Sequence, residues 1–259
     1  MNINGVKKIK VKKMYSDKHM SDIRGNFIDK VSTIINYDCD VYDEKGEIIL
    51  KFRKNIIPEK LCKIGYDSYS NLGFSKSNNR GDASGRIDKK GKKTYRKFDK
   101  KKGSIYETDQ NTVNSGIMGY LDSPNWKKPY RVTQFTRKKR KEYTGGIIFI
   151  EYLNKLYKEL LPEKYKYQEN MAKKSKLTVG NTVFSTVTVN ANFRTALHRD
   201  SGNLKDGMAV FTVIERGKYS GGDLLFPQYD LGVSVRSRDL LIMENNKLWH
   251  CNNKIIKKK

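Results

Sequence analysis

His198 and Asp200 stand two residues apart where the run Ala191-Asn-Phe-Arg-Thr-Ala-Leu197 turns polar. On an extended strand residues i and i+2 point to one face, so an imidazole and a carboxylate would share one space. The chain has three histidines, and His250 lies in Leu248-Trp-His-Cys-Asn252 after another strand-like run. If its strand lies alongside, two imidazoles and one carboxylate occupy one face of an octahedron and leave three positions open. That is the ligand set of a non-haem iron oxygenase, although zinc or manganese could occupy the same atoms. An HxD pair alone is common by chance. The metal reading rests on His250 falling on the penultimate predicted strand, beside Trp249. Cys251 adjoins His250, but strand neighbours point to opposite faces and make no nucleophile-base pair. His19, in the polar lead-in, is assigned to the surface.

The elements that must position these residues follow from patterning. After Lys176 the chain breaks into short β-rich pieces: 182–189, 193–198, 208–214, 223–226, 232–235, 239–243, 247–250 and 254–256. Short strands divided by Gly217, Gly221-Gly222 and Gly232 predict an antiparallel barrel or jelly roll over 177–259. Ahead of it, Phe149, Leu153, Leu156 and Leu160 repeat at helical spacing, and Pro162 closes or interrupts that helix. Pro58 opens another helix through Leu61, Cys62 and Tyr66. Strands are expected at 114–122 and 130–136 around Pro124-Asn-Trp126. Residues 55–176 thus form a helical and loop support region, with a basic Gly/Ser/Asn/Lys-rich loop over 74–111. Residues 1–54 form a basic lead-in and a hairpin, Cys39–Asp43 with Glu47–Phe52, turning at Glu44-Lys-Gly46. The three parts make one compact α+β domain, in which the helices brace the barrel.

Composition bounds the partner. There are 53 Lys plus Arg against 28 Asp plus Glu, a net charge of +25, which favours a polyanion through counterion release. Charge density peaks at 89–102, where nine residues are Lys or Arg and Asp99 alone opposes them. Tyr95, Phe98 and Tyr106 are interleaved there, in the manner of segments that combine phosphate contacts with base stacking. Nucleic acid is the expected partner. Mean hydropathy is −0.75, and the aliphatic-aromatic run Ile147–Ile150 is far too short to span a bilayer, so no membrane partner is expected. A basic N-terminus without an apolar h-region points away from secretion, and three cysteines with no CxxC pair fit a reducing compartment. The expected location is intracellular: nuclear, cytoplasmic or virion-associated.

Several blocks together resemble the TET/J-binding-protein family of 2-oxoglutarate- and Fe(II)-dependent nucleic-acid-modifying dioxygenases. They are Asn192-Phe-Arg-Thr-Ala-Leu-His-Arg-Asp-Ser-Gly-Asn203, Gly221-Gly-Asp-Leu-Leu-Phe-Pro-Gln228, Gly232-Val-Ser-Val-Arg236 and Trp249-His-Cys-Asn252. Arg80-Gly-Asp-Ala-Ser-Gly85 and Asn114-Ser-Gly-Ile-Met-Gly-Tyr120 are similar to its upstream segment, so the likeness runs from about residue 70 to 256. The resemblance implies a double-stranded β-helix (jelly-roll, cupin-like) core and His198, Asp200 and His250 as iron ligands. It implies Fe(II) and 2-oxoglutarate as cofactors and oxidation of the 5-methyl group of thymine or 5-methylcytosine in DNA, which it favours over RNA as the partner. Asn203 matches a position that helps recognise the target base. On the same substrate side we place Arg80 and Asp82, with Lys92, Lys93, Arg96 and Lys97 of the basic loop.

One feature departs from the family pattern. The family carries an arginine after the distal histidine, suited to pairing bidentately with the far carboxylate of 2-oxoglutarate. The nine residues after His250 offer Lys254, Lys257, Lys258 and Lys259 instead. Lys257 or Lys259 is then expected to serve as a point charge, or Arg194 or Arg236 from another strand. If none reaches, the alternative is a catalytically degenerate member acting as a basic nucleic-acid-binding or structural protein, for example in a virion. A third reading is hydroxylation of a protein or small molecule, because the triad does not encode its substrate.

Overall fold

The strand Leu240-Leu-Ile-Met243 is fully buried, and its side chains alternate between two apolar cores. Leu240 and Ile242 enter a core shared with Ile57, Met118, Leu156 and Tyr157. Leu241 and Met243 enter another, with Ile35, Val41, Leu50, Phe52, Phe226 and Val233. Period-two alternation in a wholly apolar run thus places one strand between a helical layer and a second sheet.

This computed structural model describes residues 5–85, 97–99, 104–106, 111–122, 130–200 and 202–258, the backbone alone at 97–99 and 104–106. A five-stranded sheet runs in the order Lys7–Lys10, Cys39–Tyr42, Ile48–Arg53, Leu240–Met243, Ala209–Phe211. A four-stranded sheet runs Cys251–Asn252, Leu224–Phe226, Leu231–Val233, Thr33–Ile35. The second core joins residues of these two sheets. Both sheets therefore mix strands of the lead-in with strands of the C-terminal part. The predicted hairpin forms, with Cys39 opposite Phe52 and an irregularity between Val41 and Tyr42. A third sheet, ordered Thr186–Asn190, Val113–Asp122, Lys76–Ser77, lies against the helices, and Tyr130–Val132 also pairs with its central strand.

Six α-helices occur among the described residues: α1 (Asp17–Asp22), α2 (Glu59–Gly73), α3 (Gln134–Lys138), α4 (Arg140–Gly145), α5 (Ile147–Leu160) and α6 (Pro162–Ser175). Pro58 precedes α2 directly, and the helix is longer than expected at 15 residues. Phe149, Leu153 and Leu156 form the buried stripe of α5. Pro162 interrupts rather than ends the helical region. It takes the first position of α6, after Leu161 breaks the chain at φ −141° and ψ 63°. The segment expected as one strand at 130–136 is a three-residue strand followed by α3, because Thr133 caps the helix and accepts from the Thr136 N–H. No described helix is long and apolar enough to cross a membrane.

Gly116 shows how tightly the third sheet and α2 meet: a Cβ there would lie 2.4 Å from the Leu72 carbonyl oxygen. That oxygen belongs to the backbone and has no rotamer to escape into. Gly116→Ala is expected to destabilise the chain by about 1–3 kcal/mol, a fall of several degrees in Tm. Differential scanning fluorimetry of the two proteins checks this.

Candidate metal centre

The two segments that bear the histidines are irregular rather than strands, against expectation for 193–198 and 247–250. They meet in one antiparallel bridge at His198 and His250. Each backbone N–H of this pair donates to the other's carbonyl at 3.0 Å. Asn252 takes over where ladder bonds would continue: its Oδ1 accepts from the Thr195 N–H at 2.7 Å and the Thr195 hydroxyl at 2.6 Å. An amide side chain competes here with regular pairing, and it fixes the approach to His198.

The bridge brings the imidazoles together, with ring centroids 4.3 Å apart. His198, Asp200 and His250 each present a ligand atom, and these atoms lie within 4.8 Å of one another. His198 Nδ1 is 2.8 Å from the Ala196 carbonyl and His250 Nδ1 is 2.9 Å from the Leu248 carbonyl. A carbonyl only accepts, so each Nδ1 carries a proton, and in the neutral ring that leaves Nε2 with the lone pair. His198 Nε2 faces Asp200 Oδ1 at 3.4 Å. A nitrogen lone pair and a carboxylate oxygen at that distance can share one cation. Two neutral imidazoles and one carboxylate, with carbonyls holding the rings from behind, suit a divalent transition metal.

The electrostatics agree. Burial drives His250 down to about 4, and His198 adds to the effect, while Asp200 opposes it. Burial pushes Asp200 up, but the His198, His250 and Asn245 side chains that face it outweigh that and hold its carboxyl below the ordinary range. Asn245 contributes: its Nδ2 donates to Asp200 Oδ2 at 2.5 Å, and its Oδ1 accepts from Asn203 Nδ2 at 2.5 Å. The sequence reading missed Asn245. The pair Asn245-Asn246 closing a buried apolar strand reads as turn chemistry, and its partner is 45 residues away.

The other expected site residues divide. Arg80 precedes the 3₁₀ turn Gly81–Ser84. Burial lowers its guanidinium, and the charge of Asp200 acts in the opposite direction. Its Nε is buried without a hydrogen-bond partner. Asp82 lies 3.6 Å from Arg24 Nε, and the Ala83 carbonyl accepts from the Ala196 N–H at 2.9 Å, joining this turn to the His198 segment. Arg194 pairs with Asp29 at 2.7 Å and lies over the Phe27 ring. Arg236 pairs with Asp223 at 2.6 Å. Lys257 is exposed on a strand paired with Tyr219–Ser220. Lys92, Lys93, Arg96 and Lys259 lie outside the described residues, and so does the side chain of Lys97.

Residues 115–259, more than half of the chain, match the family model Tet_JBP, "Oxygenase domain of the 2OGFeDO superfamily". The chain belongs to the TET/JBP oxygenase family. Members of this family use Fe(II) and 2-oxoglutarate. Thymine dioxygenase JBP1 of Trypanosoma brucei brucei is 35% identical over 145 residues, which are 55% of this chain and 17% of that protein. The bifunctional helicase and thymine dioxygenase JBP2 of Trypanosoma cruzi (strain CL Brener) is 36% identical over 150 residues, 58% of this chain and 13% of that protein. The chain thus spans under a fifth of the length of these relatives. Among solved structures, NgTET1 in complex with 5mC DNA superposes with a TM-score of 0.54 at 16% identity, covering 94% of this chain and 87% of that one. That likeness extends the shared fold beyond the family-matched part into the lead-in.

A buried histidine that stays neutral in the fold binds fewer protons than it does unfolded, so stability rises with pH between the two values. For the metal-free chain, stability is expected to fall as pH drops from about 6.5, the ordinary value, toward about 4. Tm measured across that window with a chelator present should show the slope, and His250→Gln should reduce it.

Proposed function

We propose that the chain is a 2-oxoglutarate- and Fe(II)-dependent dioxygenase that hydroxylates the 5-methyl group of thymine or 5-methylcytosine in nucleic acid, DNA before RNA. The observation that carries this reading is the His198–Asp200–His250 cluster, whose two Nε2 lone pairs and carboxylate converge in a member of this family. These three residues would hold the iron, and the two-sheet core around them is read as a double-stranded β-helix. Bound iron would supply oxygen activation at the expense of 2-oxoglutarate, which leaves as succinate and carbon dioxide, one oxygen atom passing to the methyl group. We read the chain as one catalytic-type domain, with a lead-in over 1–54, a support region over 55–176 and the metal-bearing part over 177–259.

The residues around the metal ligands supply orientation. Asn245 fixes Asp200 and links it to Asn203, which stands where a base recognition residue is expected. A base reaches a buried centre only when extruded or offered in a single strand. The lysine run at 89–102 is assigned to phosphates. Arg194 and Arg236 already hold carboxylates of this chain. Arg80, with its buried free Nε and Asp200 within its field, is better placed for a carboxylate of 2-oxoglutarate than for the substrate. Lys257 and Lys259 are kept for the far end of that molecule.

The purified chain, mixed anaerobically with Fe(II) and 2-oxoglutarate and then given oxygen and DNA, should release succinate and yield a hydroxymethylated base. His198→Ala should abolish turnover and leave salt-sensitive DNA binding nearly intact; unchanged turnover would refute the metal assignment. Arg80→Ala should raise KM for 2-oxoglutarate at least tenfold, whereas a rise in KM for DNA alone returns Arg80 to the substrate side. DNA binding with a steep salt slope and no succinate would favour the structural reading, which the lysines after His250 motivate.

A further inference from the structure

Leu197 and Arg199, the chain neighbours of His198, lie on the side of this segment that α1 covers. Trp249 likewise backs onto His250. All three outward residues meet a single element, α1, which lies outside the family-matched residues. Met20 of α1 is fully buried and clusters with Leu197 and Trp249. Asp17, at the first turn of α1, accepts from Arg199 Nη2 and, at 3.2 Å, from Trp249 Nε1. The Arg199 guanidinium also lies 4.4 Å over the Trp249 ring. Gln228 Nε2 donates to the same carboxylate at 3.2 Å and to the Tyr15 carbonyl at 3.1 Å. Beyond the helix, Gly25 and Asn26 run beside Leu197, the Gly25 N–H donating to its carbonyl at 2.7 Å and the Asn26 carbonyl accepting its N–H at 2.9 Å.

The geometry points to Asp17 as a positioning residue for the metal centre: through Arg199 and Trp249 it ties the His198 segment to the His250 segment and fixes the separation of their imidazoles. Only one backbone bridge joins the histidine positions, so a link across the back of both segments limits how far the rings can part. A carboxylate suits the task because its Oδ1 accepts from a guanidinium and an indole at once, a charge-assisted contact in the first case. The solvent side of Asp17 is occupied by Lys13 at 2.8 Å, on the same lead-in and away from the ligand segments. This inference rests on His198, Asp200 and His250 being a metal site.

Anaerobic titration with Co(II), followed by its visible ligand-field bands, tests it without turnover. Loss of such a supporting contact typically weakens metal affinity by about 10–100-fold, and Asp17→Ala is expected to fall in that range with altered bands. Asp17→Asn, which keeps one oxygen acceptor for Trp249, should lose less. Arg199→Ala should match Asp17→Ala, and the double variant should be no weaker than either, since both remove one link. Lys13→Ala should titrate like the parent protein. Parental affinity and bands in Asp17→Ala would overturn the inference, as would an equal loss in Lys13→Ala, which would make it a surface-charge effect. If the parent protein binds Co(II) no better than His198→Ala does, the metal reading itself fails and the positioning role goes with it.

Discussion

The reciprocal pair of N–H···O bonds between His198 and His250, both 3.0 Å, is the constraint on which the site depends. It joins residues 52 positions apart in sequence, and it is flanked by two longer backbone bonds, from the Asn252 N–H to the Thr195 carbonyl at 3.3 Å and from the Asp200 N–H to the Asn245 carbonyl at 3.2 Å. A single bridge is a weak tie, since a regular ladder would distribute the same restraint over several residues. The surrounding contacts compensate from three directions. Asn252 holds Thr195 on one flank, Asn245 holds Asp200 on the other, and α1 covers the back.

Irregular backbone at this place has a use. A continuous strand through 193–198 would satisfy its own N–H and C=O groups by laddering. Here the Ala196 and Leu248 carbonyls turn instead toward the Nδ1 atoms of the histidines two residues on. The same carbonyls set the tautomer, so the local break in β-structure and the orientation of both Nε2 lone pairs have one cause. The rigid elements stand one step away, in the fully buried Leu240–Met243 strand and the two cores on either side of it.

Much of this was legible in the sequence. The spacing of His198 and Asp200, the second histidine at 250, the helical stripe of α5 and the hairpin at 39–52 follow from short-range patterns with a clear physical meaning. The strand readings at 193–198 and 247–250 failed because apolar alternation reports burial, and side chains of Asn252 and the histidines took the hydrogen bonds a ladder would have used. Asn245 and Asp17 escaped notice, and Arg80 was read only as a substrate-side residue, for another reason. Their roles depend on partners 45, 182 and 120 residues away, and a lone Asp or Asn looks the same in a turn, a cap or a site. The hairpin of the lead-in was found, but nothing in its local pattern says that it joins a sheet with Leu240–Met243, and the strand Lys7–Lys10 was not anticipated.

The positive charge of the chain is distributed unevenly in function. Near the centre, arginines are matched with carboxylates: Arg194 with Asp29, Arg199 with Asp17, Arg236 with Asp223. Each of these acts as a fastener, because a planar guanidinium held by a carboxylate is fixed in direction and contributes little net field. Arg80, whose Nε is buried without a hydrogen-bond partner as those of Arg194 and Arg199 are, differs in its electrostatic neighbour: burial lowers its guanidinium and the charge opposing that is Asp200, itself committed to the histidines. A buried donor without an acceptor is costly, and the cost is relieved when an anion arrives.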